Sequence, residues 1–268
     1  MKICDHNIQD YAAPFERQLT MGYSTMDTRG LIKVVSIMNF LQDTASEHAH
    51  HLGVSGFDLA RQDLAWVIYR YHIEIHSYPR WLETVSVSTH RRAWKNLYEV
   101  REIHMEKKGG ENPFITAKTA WVMVSKKNQR PVRLDRYFPR EMLAHSLTRE
   151  PFPPPPKPWE RVDFELFFKV RMHDLDLNDH VNNAIYVEWA VETLPREILE
   201  KFRPGTIDVI FQKQAFYGDP IVSRTQITFQ ADLPITEHTI VRATDQGILA
   251  TLHVTWKDRR DDEKSQLY

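Results

Sequence analysis

A single cysteine, Cys4, occurs in 268 residues, which excludes an internal disulfide framework and a cysteine-based metal cluster. A reducing compartment is the natural setting for such a chain. Charge of one sign is not in excess: 35 Lys and Arg face 36 Asp and Glu, for a formal net charge of -1. No global field therefore draws the chain to nucleic acid or to an acidic membrane surface, although local basic patches are open. Long apolar runs are absent too, none approaching the ~18 residues of a spanning helix. Asp5, His6 and Asp10 interrupt any apolar core of a signal peptide. What remains, 42% hydrophobic and 26% charged residues, is a globular balance, expected in the cytoplasm without membrane insertion.

The clearest break is the proline-rich segment 149–158, with Pro151, Pro153, Pro154, Pro155, Pro156 and Pro158. Stacked prolines lack backbone donors and favour extended geometry, so they act as a semi-rigid linker. The expected organisation is an N-terminal domain over 1–148, the linker over 149–158 and a C-terminal domain over 159–268.

The two halves share one layout. Each opens on a short strand-like segment, Phe15 to Tyr23 and Phe164 to Met172, and each continues through an aspartate-bearing turn at Asp27 or Asp176. Helical spacing follows: Val34, Met38, Leu41 and Ala45 in the first half, and Ile185, Trp189 and Leu194 with Tyr186, Ala190 and Thr193 in the second. Pro195 ends or kinks the second helix. Alternating strands then dominate, over Val67–Ile75, Val85–Thr89, Leu97–Met105 and Ile115–Val124, and later over Val209–Phe216, Val222–Phe229, Thr239–Ala243 and Ile248–Trp256. Gly109-Gly110 and Asp245-Gln246-Gly247 mark turns, and the tail from Lys257 onward is charged and frayed. The fold class is α+β, with an antiparallel sheet wrapped around one long helix in each half.

Aligning the halves on their helices sets Asp176 on Asp27, Asn178 on Arg29 and His180 on Leu31. Only the second half carries the polar trio. In an extended backbone, residues two apart share a face, so a carboxylate, an amide and an imidazole would converge. Thioester hydrolysis is a reaction that such a trio serves without metal or cofactor. Histidine, with a pKa near 6.5, is a base suited to activating water. Asparagine can donate to a developing oxyanion. The leaving thiol, with a pKa of about 8.5, needs little help from an acid. The same pattern is also that of a turn with a helix N-cap, since Asp and Asn favour both places.

The run Asp174-Leu175-Asp176-Leu177-Asn178-Asp179-His180-Val181-Asn182-Asn183, with Tyr186 and Trp189 following, resembles the active-site segment of the acyl-ACP thioesterases. Asn39 to Ala45, Leu64 to Arg70, Tyr78 to Val85 and Ala120 to Val124 resemble further segments of that family, in order. The resemblance implies a double hotdog fold, two tandem hotdog domains. It implies hydrolysis of fatty acyl-ACP to free fatty acid and holo-ACP, with catalysis in the second half and the acyl-chain pocket in the first. The implied partner is an acyl carrier protein bearing a fatty acyl chain; the chain itself is expected as a monomer or homodimer. The family's Asp, Asn and His fall on Asp176, Asn178 and His180. Its glutamate, on the strand after the helix, falls on Gln214, and the cysteine of plant members falls on Ala215. Gln214 cannot act as a base but can hydrogen-bond water or the oxyanion. Glu192 on the adjacent helix is a substitute carboxylate or, more simply, a solvated helix residue.

Other clusters have plainer readings. Glu47 and His51 have metal-ligand spacing only as a pair, among the histidines 48, 50 and 51. Arg91, Arg92 and Lys95, with Lys126, Lys127, Arg130 and Arg133, are solvated charge or a docking patch for an acidic carrier. Trp66, Tyr69, Tyr71, Trp121 and Met123 read as core. An acyl-CoA thioesterase of the same fold and a non-catalytic acyl-binding protein are the alternatives.

Overall fold

The computed structural model describes residues 13–110, 112–144, 146–155 and 161–260. Cys4, the last part of the proline-rich segment and the end of the charged tail lie outside them. The chain forms two compact units, one of residues 1–70 and 79–153, the other of residues 71–78 and 154–268.

The first unit contains β1 (Phe15–Thr20), α1 (Val34–His51), α2 (Gly56–Ala60), most of β2 (Leu64–Ile75), β3 (Thr84–Trp94), β4 (Tyr98–Lys107), β5 (Pro113–Ser125) and the short α3 (Arg140–Leu143). Its strands lie in the order β1-β3-β4-β5-β2. The helix α1 forms because Ile37, Met38, Leu41, Ala45 and Ala49 recur on one stripe, all buried, and that stripe packs against β1 and β3. Burying a leucine such as Leu41 contributes ~2 kcal/mol from apolar area alone. Trp66 and Met123 sit in or against a core with Leu59, Leu64 and Phe138. Phe152, inside the proline-rich segment, is buried against Trp94, Val100 and Ala120.

The second unit contains the end of β2, then β6 (Phe164–Lys169), α4 (Asn183–Glu192), α5 (Arg196–Lys201), β7 (Phe202–Phe211), β8 (Pro220–Gln230), β9 (Leu233–Arg242) and β10 (Ile248–Asp258). Its strands run β7-β10-β9-β8-β6. The last residues of β2 belong to this unit through contacts such as His72 Nδ1 to Asp208 at 3.2 Å and the Tyr78 hydroxyl donating to the Pro204 carbonyl at 2.8 Å. Buried Ala184, Tyr186, Val187, Trp189 and Ala190 face α4 inward, against β6, β8, β9 and β10. Asn182 caps α4, its side chain accepting from the Ala184 N–H at 2.9 Å. The helix stops before Pro195, which is the N-cap of α5. Each unit is thus a hotdog, and the chain carries two in tandem.

Several strand limits differ from the sequence expectation; β3 runs on to Trp94 rather than Thr89, and β9 starts at Leu233 rather than Thr239. β7 starts at Phe202 rather than Val209, because a register shift between Thr255 and Trp256 accommodates Pro204, which has no N–H for the ladder. β7 also ends at Phe211 rather than Phe216. The N–H groups of Gln212 and Lys213 both turn to one carbonyl, Leu249, at 2.8 and 3.2 Å, so the chain peels away from β10. Lys257 is not frayed: it lies in β10 and its ammonium donates to the Ile75 carbonyl at 2.7 Å.

Candidate active site

Both halves build the same turn ahead of their long helix. In the first, the Asp27 N–H donates to the Leu31 carbonyl at 2.7 Å, Gly30 returns to Asp27 at 3.1 Å and Lys33 reaches Thr25 at 2.9 Å. In the second, Asp176 donates to His180 at 2.7 Å, Asp179 to Asp176 at 3.2 Å and Asn182 to Asp174 at 2.8 Å. The left-handed position is held by Gly30 at φ 75° and by Asp179 at φ 59°; Asp is among the few side chains that tolerate it. The aspartate carboxylate ties each turn. Asp27 Oδ1 accepts from Arg29 and Leu31 at 2.8 and 3.0 Å, and Asp176 Oδ1 accepts from Asn178 at 2.7 Å. This is an Asx turn. Asp176, Asn178 and His180 therefore share a tight turn, and the expectation of an extended backbone with side chains alternating to one face is corrected. Asn178 is exposed, and Asp176 and His180 are half-buried.

A loop between β7 and β8 meets this turn. The Val181 N–H donates to the Ala215 carbonyl at 3.1 Å, and the Phe216 ring stands edge-on to the His180 imidazole, 5.2 Å between centroids. Gln214 sits two residues before Phe216, half-buried, on this loop and not on a strand as the resemblance placed it. Buried Ala215 donates its N–H to the Tyr186 hydroxyl at 3.0 Å. Burial pushes the Tyr186 phenol up to about 12, so it stays neutral and anchors α4 to the loop. The Asp219 carboxylate accepts from the Phe216 N–H at 3.0 Å. Arg242 on β9 donates to Asp219 at 3.0 Å and to the Gln214 carbonyl at 2.7 Å.

The first half has the counterpart loop. Ile32 donates to the Pro79 carbonyl at 3.0 Å, and Arg80 N–H donates to the Glu83 carboxylate at 3.0 Å. Leu82 takes the left-handed place that Gly218 takes in the second half, at φ 64° and 82°. The frame is common to both halves. The imidazole, the Asn178 amide and the Phe216 ring against His180 belong to the second alone. Met172, Leu177, Phe216 and Tyr217, on the same two segments, leave large apolar surfaces exposed.

The other sequence candidates are placed differently. Glu192 is exposed at the end of α4. Glu47 pairs with Arg17 at 2.9 Å and His51 packs on Phe15. His48 is buried, with Arg101 at 3.1 Å from its Nδ1. Burial and then the Arg101 charge lower its pKa to about 3. Arg91 is not surface charge: it is 4% exposed and holds Glu99 at 2.6 Å, with Arg101 on the other oxygen at 2.8 Å. Lys95, Lys126, Lys127, Arg130 and Arg133 are exposed. Sequence reasoning missed Arg242, whose bonds to the Gln214 carbonyl and the Asp219 carboxylate leave no pattern in the sequence. Tyr186 reads from the sequence as a helix residue and as part of the resemblance, with no sign of its bond to the Ala215 N–H.

Two family models match the chain: the acyl-ACP thioesterase N-terminal domain over residues 13–141 and the C-terminal domain over 159–258. An oleoyl-acyl carrier protein thioesterase, chloroplastic, of Coriandrum sativum is 27% identical over 252 residues, 88% of this chain and 66% of that protein. A dodecanoyl-acyl-carrier-protein hydrolase, chloroplastic, of Cinnamomum camphora is 27% identical over 73% of this chain and 54% of its own. The chain spans about two thirds or less of the length of the curated relatives it matches. Among solved structures, the 12:0-ACP thioesterase of Umbellularia californica superimposes with a TM-score of 0.78 at 20% identity, over 92% of this chain and 94% of that one. An acyl-ACP thioesterase of Bacteroides thetaiotaomicron gives 0.75 at 19% identity, over 94% and 100%.

Proposed function

The chain belongs to the acyl-ACP thioesterase family, and on that premise we propose that it hydrolyses the thioester of a fatty acyl chain carried on acyl carrier protein, releasing the fatty acid and the holo-carrier. The observation that carries the proposal is the turn built twice, which bears an imidazole and an amide only in the second half.

In this reading, His180 takes a proton from water as the water oxygen attacks the thioester carbon. Asn178, exposed at the tip of the turn, donates to the carbonyl oxygen as it gains charge, a type of contact worth roughly a hundredfold or more in kcat. The C–S bond then breaks. The thiolate leaves readily given a thiol pKa of about 8.5, and the proton held by His180 returns to sulfur. Asp176 holds the turn, and Gln214 supplies a hydrogen bond where the family pattern places a glutamate. No metal or cofactor is called on. The exposed apolar surfaces of Leu177, Phe216 and Tyr217 suit a substrate that is part alkyl chain. Lys95, Lys126, Lys127, Arg130 and Arg133 are the cations available to an acidic carrier. The first half is proposed to house the acyl pocket and the second the chemistry. The location proposed for the chain is the cytoplasm. No helix among the described residues is long and apolar enough to cross a membrane.

Turnover on acyl-ACP and acyl-CoA of equal chain length tests the proposal. Preference for the carrier, with loss of hydrolysis in His180→Ala, is expected, and strong CoA preference would overturn the carrier assignment. Gln214 in place of the glutamate favours one other reading, an acyl-binding protein without hydrolysis. Acyl binding with no product from either thioester would establish it.

A further inference from the structure

The two halves supply an internal control for each other, because their loops share the same backbone hydrogen bonds. In the first half, Glu83 on the counterpart loop meets Lys107, 3.5 Å away across the ladder. In the second, Asp219 meets Arg242 at 3.0 Å. These cations occupy equivalent ladder positions, since Lys107 lies opposite Val85 and Arg242 opposite Ile221, each two residues past its carboxylate. The residues differ in what else they do. Lys107 is 64% exposed on its side chain and meets the Glu83 carboxylate. Arg242 is 19% exposed and uses all three guanidinium nitrogens: Nε to Asp219 at 3.0 Å, Nη1 to Asp245 at 3.2 Å and Nη2 to the Gln214 carbonyl at 2.7 Å.

We infer that Arg242 is a positioning residue for the hydrolytic site, acting through the backbone of Gln214. A guanidinium is a rigid fork that can hold a carboxylate and a carbonyl at once, whereas an ammonium is a point charge on a flexible stem. The fork spans the loop from Gln214 to Asp219. Between its two prongs, Ala215 is tied to Tyr186 and Val181, and Phe216 is tied to Asp219. The fork therefore sets where the Gln214 side chain leaves the backbone and where the Phe216 ring meets His180. The counterpart loop of the first half carries no catalytic group and is served by a lysine. The inference deepens the thioesterase reading and rests on it.

The test is a double-mutant cycle in the full chain on acyl-ACP, with Arg242→Lys, Gln214→Ala and the double variant, and thermal melts as the check on folding. Arg242→Lys keeps a charge for Asp219 but cannot hold the carbonyl as well. The expected result is a fall in kcat of about tenfold with KM within about twofold, and little further loss when Arg242→Lys is added to Gln214→Ala, as for coupled residues. Lys107→Gln, the control in the first half, leaves kcat unchanged. Hydrogen exchange of the 214–216 amides is measured alongside and is expected to quicken in Arg242→Lys. Full kcat in Arg242→Lys, or losses that multiply in the double variant, would overturn the inference and assign Arg242 a general stabilising role. If the native chain hydrolyses no thioester, the functional reading fails by itself. The clamp is then judged on exchange: faster exchange upholds it, and unchanged exchange refutes it.

Discussion

Asp176 shows how a residue can sit in a catalytic-looking pattern and carry a structural task. Its partner in the first half, Asp27, ties the same turn in a segment that has leucine where the second half has histidine. Turn closure therefore explains the aspartate in both places, and presenting Asn178 and His180 follows from that closure. Asp176→Asn keeps an oxygen acceptor and is expected to hold the melting temperature and keep activity within about tenfold. Asp176→Ala, which leaves the Asn178 amide without its acceptor, is expected to cost ~1 kcal/mol as a lost cap does and to lower activity further. Equal, severe loss in both variants on acyl-ACP would instead favour a charge-based role beside the imidazole. Asn178 has no such structural double, because Arg29 in its place leaves the first turn intact. Asn178→Ala is expected to lose roughly a hundredfold in kcat with unchanged stability, the signature of an oxyanion donor. Gln214→Glu is expected to keep or raise kcat.

Individual elements are stabilised by buried polar groups that composition does not reveal. Across β3 and β4, Glu99 lies between Arg91 and Arg101, all three under 5% exposed. The two arginines hold its pKa at about 2 despite burial. Glu99→Gln leaves two cations without their counter-charge and is expected to destabilise by about 3 kcal/mol or more in denaturant melts, as breaking a buried pair does. In the second unit, His238 is wholly buried between Thr225 and Thr236, at 2.7 Å from each, and burial lowers its pKa to about 3. Such a group adds stability fully above the unfolded pKa near 6.5 and loses it as pH falls toward about 3, by roughly 1.4 kcal/mol per pH unit. His72 and His253 act in the opposite sense. Bonds to Asp208 and Glu237 raise their pKa values, so their contribution is complete below about 6.5 and fades at higher pH. Between pH 6 and 5 the buried histidines steepen the loss of stability, and His238→Gln is expected to lessen it in melts across that range. The helices and most strands were legible because apolar spacing survives tertiary context. The loop 212–219 was not, because Val209 to Phe216 alternates like a strand, and the shared Leu249 carbonyl and the bonds that Val181, Tyr186 and Arg242 make to it divert it.

At the scale of the molecule, duplication separates what the fold needs from what chemistry needs. The site was legible in outline because the helix alignment already set His180 on Leu31, and the structure repeats that match bond for bond from Thr25 and Asp174 to Lys33 and Asn182. Its geometry was not legible, because a turn and an extended segment present the same Asp-x-Asn-x-His spacing. A frame that carries leucine in one copy should accept it in the other. His180→Leu is therefore expected to fold, with a melting temperature within a few degrees of the native chain, and to lose hydrolysis by 10²-fold or more, the range for removing a general base. The reciprocal Leu31→His is expected to leave kcat on acyl-ACP unchanged, since Arg29 and Tyr78 stand where the second half has Asn178 and Gln214. It should destabilise instead, because Leu31 is 6% exposed and a polar ring there is desolvated. Melts and single-turnover assays on both variants check the pair. Hydrolysis that survives His180→Leu but falls with Leu31→His would reverse the assignment of labour between the two halves.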